Sequence, residues 1–219
     1  MDVLITDVTE MGAGNYCVAG WDIDSKRMVR PLPNGRNWSA AIVEKHAIAP
    51  GKVVRADPQG TPNGIYPHLT EDTPIDPASI GISTKQFSDW LGALAPKVAI
   101  DLSTGFDGHL QWNSEWNGVR QGVHTQPGVR CPSLVGICIK KANLSFIELF
   151  DSLKATLDDG SHSYQLAASS KALKESWRKG GLVEVYNALP ARNEFHVRVG
   201  LARPFRNPPK CFAMLNGVL

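Results

Sequence analysis

A chain of 219 residues, 42% hydrophobic and 20% charged, has the composition of a folded globular protein and is too apolar for disorder. At this length about 70% of the unfolded surface can be buried, so one large β-domain or two small ones can stand without disulfide or metal staples. The net charge of +2 permits a local basic surface and by itself points to no nucleic-acid partner.

The opening Met-Asp-Val-Leu-Ile-Thr-Asp has neither the cationic start nor the long apolar core of a signal peptide. No stretch approaches the ~20 apolar residues of a membrane span, so the expectation is a cytoplasmic protein with no membrane partner. Cys17, Cys131, Cys138 and Cys211 are widely spread, form no CxxC pair, and read as reduced core thiols rather than zinc ligands.

Residues 2–8, 15–23 and 27–32 read as three strands, with Asp24-Ser25-Lys26 as a polar hairpin turn. Trp38 to Ala47 reads as a short helix closed by Pro50-Gly51, and Lys52 to Ala56 as a further strand. That is the size and element order of a small barrel such as an OB-fold. Residues 57–79 carry seven Pro or Gly punctuators, from Pro58 to Pro77, and form a rigid crossing segment. Ser83 to Leu94 has the apolar spacing of a helix. Residues 97–132 give no clear assignment. Leu134 to Lys140, Phe146 to Phe150 and Ser163 to Ala167 look like strands, and Lys171 to Lys179 like a short basic helix. Residues 182–187, 194–205 and 210–218 complete a second β-rich unit. The expected organisation is therefore mainly β with a few short helices: two packed OB-like barrels, 1–78 and 79–219.

Two extended segments end in arginine-proline. The first is Arg27 to Leu32, with Arg30-Pro31. In the second, Phe195, Val197, Val199 and Leu201 alternate with His196 and Arg198 before Arg203-Pro204, the period of a half-buried strand. Proline donates no backbone hydrogen bond and belongs at a strand end or edge, so both segments deliver arginine to a rim. Arg203 is in phase with the apolar positions, so it must emerge at the barrel mouth or pair with an acid, Glu71 or Asp72.

Gly12-Ala-Gly14 follows a strand but lacks the third glycine and the helix of a dinucleotide-binding turn, and reads as a hairpin. Pro67-His68-Leu69-Thr70-Glu71-Asp72 is the densest polar constellation, and His68, Glu71 and Asp72 could act as acid, base or metal ligands, or simply form a capped turn. Trp21, Arg30, Arg36 and Trp38 cluster in sequence, and Arg198 and Arg203 lie near the end. Barrels of this kind stack bases on aromatic rings and hold phosphates with basic side chains, while tryptophans this large are also common core residues. Lys171, Lys174 and Arg178 share one helical face. No Gly-x-Ser-x-Gly elbow is present.

Val3 to Gly12, Tyr16-Cys-Val-Ala-Gly20, Arg30-Pro31-Leu32 and Pro67 to Asp72 together resemble the dual OB-containing domain family of prokaryotes. Arg198-Val-Gly-Leu-Ala-Arg203-Pro204 and Leu215-Asn216-Gly217 look like that family's closing strands, so the resemblance spans nearly the whole chain. It implies two OB-like barrels, a place in prokaryotic defence or conflict systems, and nucleic-acid binding. It brings no catalytic residue set, but raises the standing of Arg30, His68, Glu71, Asp72 and Arg203.

Three functions follow as expectations. The first is a module for single-stranded nucleic acid or a nucleotide-like ligand, with Arg30, Arg36, Arg198 and Arg203 on phosphates and Trp21 and Trp38 as stacking rings. The second is a metal-dependent hydrolase or nuclease working through His68, Glu71 and Asp72. The third is a protein-interaction adaptor with a partner encoded nearby. No cofactor and no resident metal is expected.

Overall fold

Val3, Ile5 and Val8 point to one side of the first strand and meet Val18, Val29, Val54 and Ile75, all at most 4% exposed, in the first of two separate apolar cores. In the computed structural model, which describes residues 1–83 and 98–219, this core fills a small barrel. Strands β1 (Asp2–Gly12), β2 (Asn15–Asp22) and β3 (Arg27–Pro33) form an antiparallel meander. Its first turn holds Gly12, Ala13 and Gly14 at φ of 84°, 50° and 69°, conformations that favour glycine. β4 (Trp38–Ser39) adds to β2, and the Ser39 hydroxyl accepts the Ile42 amide at the start of α1 (Ala40–Lys45). β5 (Val53–Arg55) returns against the first residues of β1. β6 (Asp72–Ile75) lies parallel to β3, with Arg30 opposite Asp72. A bridge between Pro58 and Ile75 closes the ring, and β7 (Gly81–Ile82) extends the free edge of β5. Three-strand meander, helix, then two strands with the last parallel to the third: this is an OB-like barrel.

The second half repeats that topology around its own core. α2 (Leu102–Gly105) starts at Asp101, whose carboxylate accepts the Thr104 amide at 2.6 Å. β8 (Ser114–Trp116) and β9 (Val119–Gln121) form a hairpin through Asn117-Gly118, at φ of 48° and 74°, and β10 (His124–Thr125) follows. β11 (Leu134–Lys140) runs through a single 3-10 turn into β12 (Leu144–Glu148). The two behave as one bent strand. Its first half pairs with β15 (Glu194–Leu201) and its second with β13 (Leu153–Asp158). β14 (Ser163–Ala168) completes the meander, α3 (Lys171–Asn187) crosses over, and β16 (Cys211–Val218) pairs parallel to β14 and antiparallel to β15. Mainly β architecture with two OB-like barrels is thus what the chain adopts.

Some elements differ from the sequence reading. Residues 182–187, expected as strand, continue α3 beyond a break at Gly180-Gly181, where Gly181 takes φ 66°. Packing overrides the β preference of Val183 and Val185: Val185 is fully buried, and the Tyr186 hydroxyl accepts the Phe146 amide of β12 at 2.9 Å. Leu153–Asp158 and Asp72–Ile75 are strands that were not expected. The helix expected from Ser83 to Leu94 lies, beyond Ser83, outside the described residues. All four cysteines are free; Cys131 and Cys211 are buried, but Cys138 is exposed on the outer side of β11.

The barrels meet through charge. Asp72 receives Arg30 Nη1 at 2.9 Å on one carboxylate oxygen and Arg203 Nη2 at 2.7 Å on the other. Arg30 also donates to the Ser133 hydroxyl at 3.0 Å, and Ser133 donates its amide (2.9 Å) and hydroxyl (2.6 Å) to Glu71. His68 Nε2 donates to the Leu201 carbonyl at 2.9 Å, which leaves Nδ1 as the unprotonated nitrogen. A second buried pair, Arg198 with Asp7, lies 3.4 Å apart, and Gly136 opposite Arg198 makes room for it: a Cβ there would sit 2.4 Å from the guanidinium. Arg178 grips both carboxylate oxygens of Glu10 at 2.6 and 2.8 Å, tying α3 to β1.

Removing Asp72 leaves the 3%-exposed Arg30 without its counter-charge. Asp72→Ala is expected to cost about 3–5 kcal/mol in urea denaturation. Arg203→Ala costs distinctly less, because its side chain is 36% exposed and screened by water, and Asp72 keeps Arg30 as its partner. A wild-type midpoint for Asp72→Ala would show that the pair does not hold the junction.

Burial pushes the Glu71 carboxyl up to about 7, against the pull of the Ser133 donors and Arg30. Burial, with Arg30 and Arg203, drives His68 down to about 4. Glu71 therefore stabilises the fold fully below its ordinary value near 4.5, and that contribution is lost as pH rises through 7. His68 contributes above its ordinary 6.5, and that is lost as pH falls through 4. The two slopes oppose each other between pH 4.5 and 6.5. Wild-type stability is expected to be nearly flat there. In Glu71→Gln it rises with pH across that window, and in His68→Gln it falls; parallel profiles for all three proteins would contradict the assignment.

Candidate nucleic-acid interface

An OB-type barrel offers ligands the outer face of its second and third strands, flanked by the loops joining strands one to two and four to five. In the first barrel that face is spent. Cys17 on β2, Arg30 on β3 and His68 in the loop between β5 and β6 turn toward Leu201, Ala202, Arg203, Met214 and Asn216 of the second barrel. What remains between them is a cavity of about 20 Å³, the scale of a single water and too small for a base or a sugar.

The junction accordingly absorbs six of the residues that the sequence singled out. Arg30, His68, Glu71 and Asp72 are at most 6% exposed and Arg198 5%, each committed to the contacts above. Arg203 is the partly open member, paired with Asp72 as its strand phase requires. Arg30 and Arg203 share that carboxylate but are not corresponding elements, since one lies on a third strand and the other follows a fourth. Trp38 is fully buried and donates its indole N–H to the Pro31 carbonyl at 2.6 Å, so it presents no ring to solvent. Trp21 is half-buried on β2. Arg36 is exposed beyond β3, beside Asn34, Gln59 and Asn63 in a polar groove apart from the junction. Among the described residues no group of three or more His, Cys, Asp or Glu is arranged to hold a metal ion.

The second barrel keeps its face open. Along β13 the residues Leu153, Ala155 and Leu157 fill the core, so Lys154 and Thr156 point out; along β14 Gln165 and Ala167 do the same between Tyr164, Leu166 and Ala168. On β16, Phe212 and Met214 are outward. The loop between β15 and β16 folds over this surface, held by reciprocal backbone hydrogen bonds between Phe205 and Lys210 at 3.2 and 3.1 Å. A pocket of about 210 Å³ results, with Lys154, Gln165, Phe205, Arg206, Phe212 and Met214 in its walls. Met214 also lines the junction cavity, so the open face begins where the first barrel ends.

Rings and cations are interleaved here. Phe205, 46% exposed, lies 5.1 Å from Phe212 between ring centroids, and the Arg206 guanidinium sits 5.1 Å from Phe212 and 5.7 Å from Phe205. The β8–β9 hairpin, whose β9 pairs alongside β14, brings Arg120 to 3.7 Å over Trp112. Trp112 and Trp116 are 40% and 69% exposed. At the loop between β12 and β13, Phe150 is 91% exposed. Burial and then the Arg206 charge hold Lys154 below its ordinary value, the mark of two cations close together without an acid between them. Neither Lys154 nor Arg206 is in an ion pair among the described residues. None of the six residues expected to bind a ligand (Trp21, Arg30, Arg36, Trp38, Arg198 and Arg203) lines this pocket, and Lys154, Phe205, Phe212 and the Trp112–Arg120 pair were not among them. The alternation of Leu-Lys-Ala-Thr-Leu-Asp and the Asn-Gly turn were signals for both segments.

Among the described residues no helix is long and apolar enough to cross a membrane. No protein-family model matches the chain, and no curated protein matches it. Among solved structures it is similar to the crystal structure of the tetrameric p202 HIN2, at 8% identity and a TM-score of 0.35, covering 100% of this chain and 91% of that one. At that level the description of the fold rests on this chain's own strand order.

Proposed function

We propose that this protein is a nucleic-acid-binding module that holds a single strand on the outer face of β13, β14 and β16, with the first barrel docked beside it as a rigid support. The observation that carries this reading is the pair of unpaired cations, Lys154 and Arg206, set among the accessible rings of Phe205 and Phe212 on the surface where barrels of this topology take oligonucleotides. Lys154 and Arg206 meet phosphates. Phe205, with the neighbouring Trp112 or Trp116, supplies base stacking, which tolerates any sequence because every base has a π-face. Single strands are favoured because their bases are free to reach rings lying in a pocket, whereas a duplex offers only its backbone. The resemblance to the dual OB-containing family points the same way and adds a setting in prokaryotic defence systems as part of the proposal. Compared with this face, the His68-Glu71-Asp72 segment is a poor centre for hydrolysis: its polar atoms are sealed in the junction and, His68 Nδ1 apart, engaged with Leu201, Ser133 and two arginines.

Fluorescence anisotropy with labelled single-stranded RNA and DNA of mixed sequence tests the reading. Affinity is expected to fall with salt at a log–log slope of about −0.7 per phosphate contact. Phe205→Ala weakens binding by roughly 5- to 150-fold, the value of about 1–3 kcal/mol for one stacked base. Lys154→Glu with Arg206→Glu reduces the salt slope, and Arg36→Glu changes neither. Absence of binding to both polymers at low salt, or binding untouched by the double charge reversal, would remove the proposal.

A further inference from the structure

A larger cavity lies elsewhere, on the outer side of β11 and β15 where they run out toward Lys140 and Glu194. It is an open groove of about 900 Å³, within the range of sites that hold nucleotide-sized ligands. Its walls are the 3-10 turn after β11 and the segment leading into β15, locked together by the Lys141 amide donating to the Asn193 carbonyl at 2.7 Å. Three cations, Lys140, Lys141 and Arg192, surround it, and His196 and Cys138 face each other across the β11–β15 ladder. None of the three cations has an ion-pair or side-chain hydrogen-bond partner among the described residues, although Glu194 stands directly opposite Lys140 in the ladder. Glu194 also lines the groove, so its rim carries three cations and one acid, an excess of positive charge that an anion can offset. Burial, then Arg198 of the junction and Arg192 of the groove, hold His196 below its ordinary value against the opposing pull of Glu194. The outer surfaces of β15 and β16 between this groove and the face of β13 and β14 are covered by the first barrel, so the two surfaces are separate.

We propose that this groove is a second, independent binding site for a phosphate-bearing ligand, with Lys140, Lys141 and Arg192 holding the phosphate oxygens. The chemistry is shared by a free nucleotide and by a nucleic-acid phosphate, and the dimensions admit either.

Cys138 reports on the site directly, because it is exposed within the groove while Cys131 and Cys211 are buried. Alkylation by iodoacetamide, a neutral reagent, is followed at each cysteine by mass spectrometry on the intact folded protein. The probes are pyrophosphate, ADP and a single-stranded oligonucleotide, each against sodium chloride of equal ionic strength. Protection of Cys138, with Cys17 unaffected, is expected from a phosphate ligand and not from chloride, and is abolished in Lys141→Glu/Arg192→Glu. Protection by ADP identifies a nucleotide site; protection by the oligonucleotide alone identifies a backbone site. If the oligonucleotide protects equally in the Lys154→Glu/Arg206→Glu protein, the groove acts apart from the open face. No protection by any probe at millimolar concentration and low salt, or equal protection by chloride, would overturn the proposal.

Discussion

Asp72 is the carboxylate on which the arrangement of the two barrels depends. The parallel pairing of β3 with β6 sets it beside Arg30 within the first barrel, and its second oxygen faces outward to Arg203 of the other. A guanidinium as buried as Arg30 is tolerated only with a counter-charge and filled donors, and Asp72 and Ser133 supply both. Glu71 is drawn into the same enclosure by the Ser133 amide and hydroxyl, and burial there pushes its carboxyl up to about 7. Such contacts contribute little net stability compared with an apolar seam, but a misaligned junction would strand several charges at once. They fix how the barrels sit more than how tightly they adhere.

The same topology thus meets two fates. Each barrel has an outer face on its second and third strands suited to a ligand. In the first, Cys17 and Arg30 on that face close against the second barrel, leaving room for no more than a water. In the second, Lys154 and Gln165 remain accessible, and a loop bearing Phe205 and Arg206 leans over them. Docking has closed one of these surfaces and left the other accessible. A ligand gripping the open face meets a scaffold already braced by Arg178 on Glu10 and Arg198 on Asp7, and needs little ordering of its own.

What could be read from the sequence was local. The β1–β3 meander follows from alternation and turn chemistry, and strand phase left Arg203 either to emerge at the barrel mouth or to pair with an acid; it pairs with Asp72. The parallel pairs β3–β6 and β14–β16 join residues 42 or more positions apart and leave no local trace; without them Arg30 reads as a free rim cation. Trp38 illustrates the same limit, because the Pro31 carbonyl that receives its indole proton is presented only once β3 has formed. Residues 182–187 were misread because β-branched valines outweigh a helix that is decided by packing on β12. On the open face the clue was present: Lys154 alternates with Leu153 and Ala155, but a single lysine in a strand has no meaning until the neighbouring loop supplies Arg206.

The net charge of +2 does not describe how charge is distributed over the fold, because ion pairs at the junction take up charge of both signs. The junction pairs its own groups: Asp7 with Arg198, Glu10 with Arg178, and Asp72 with Arg30 and Arg203. These acids are counted in the total but shield nothing outside the contact. Among the cations without an ion pair in the described residues, Lys154 and Arg206 stand at one cavity of the second barrel and Lys140, Lys141 and Arg192 at another. Opposing charges buried together cancel at short range, so the field that a polyanion meets in solution comes from the cations that remain. A nearly neutral chain can in this way carry local clusters of cations.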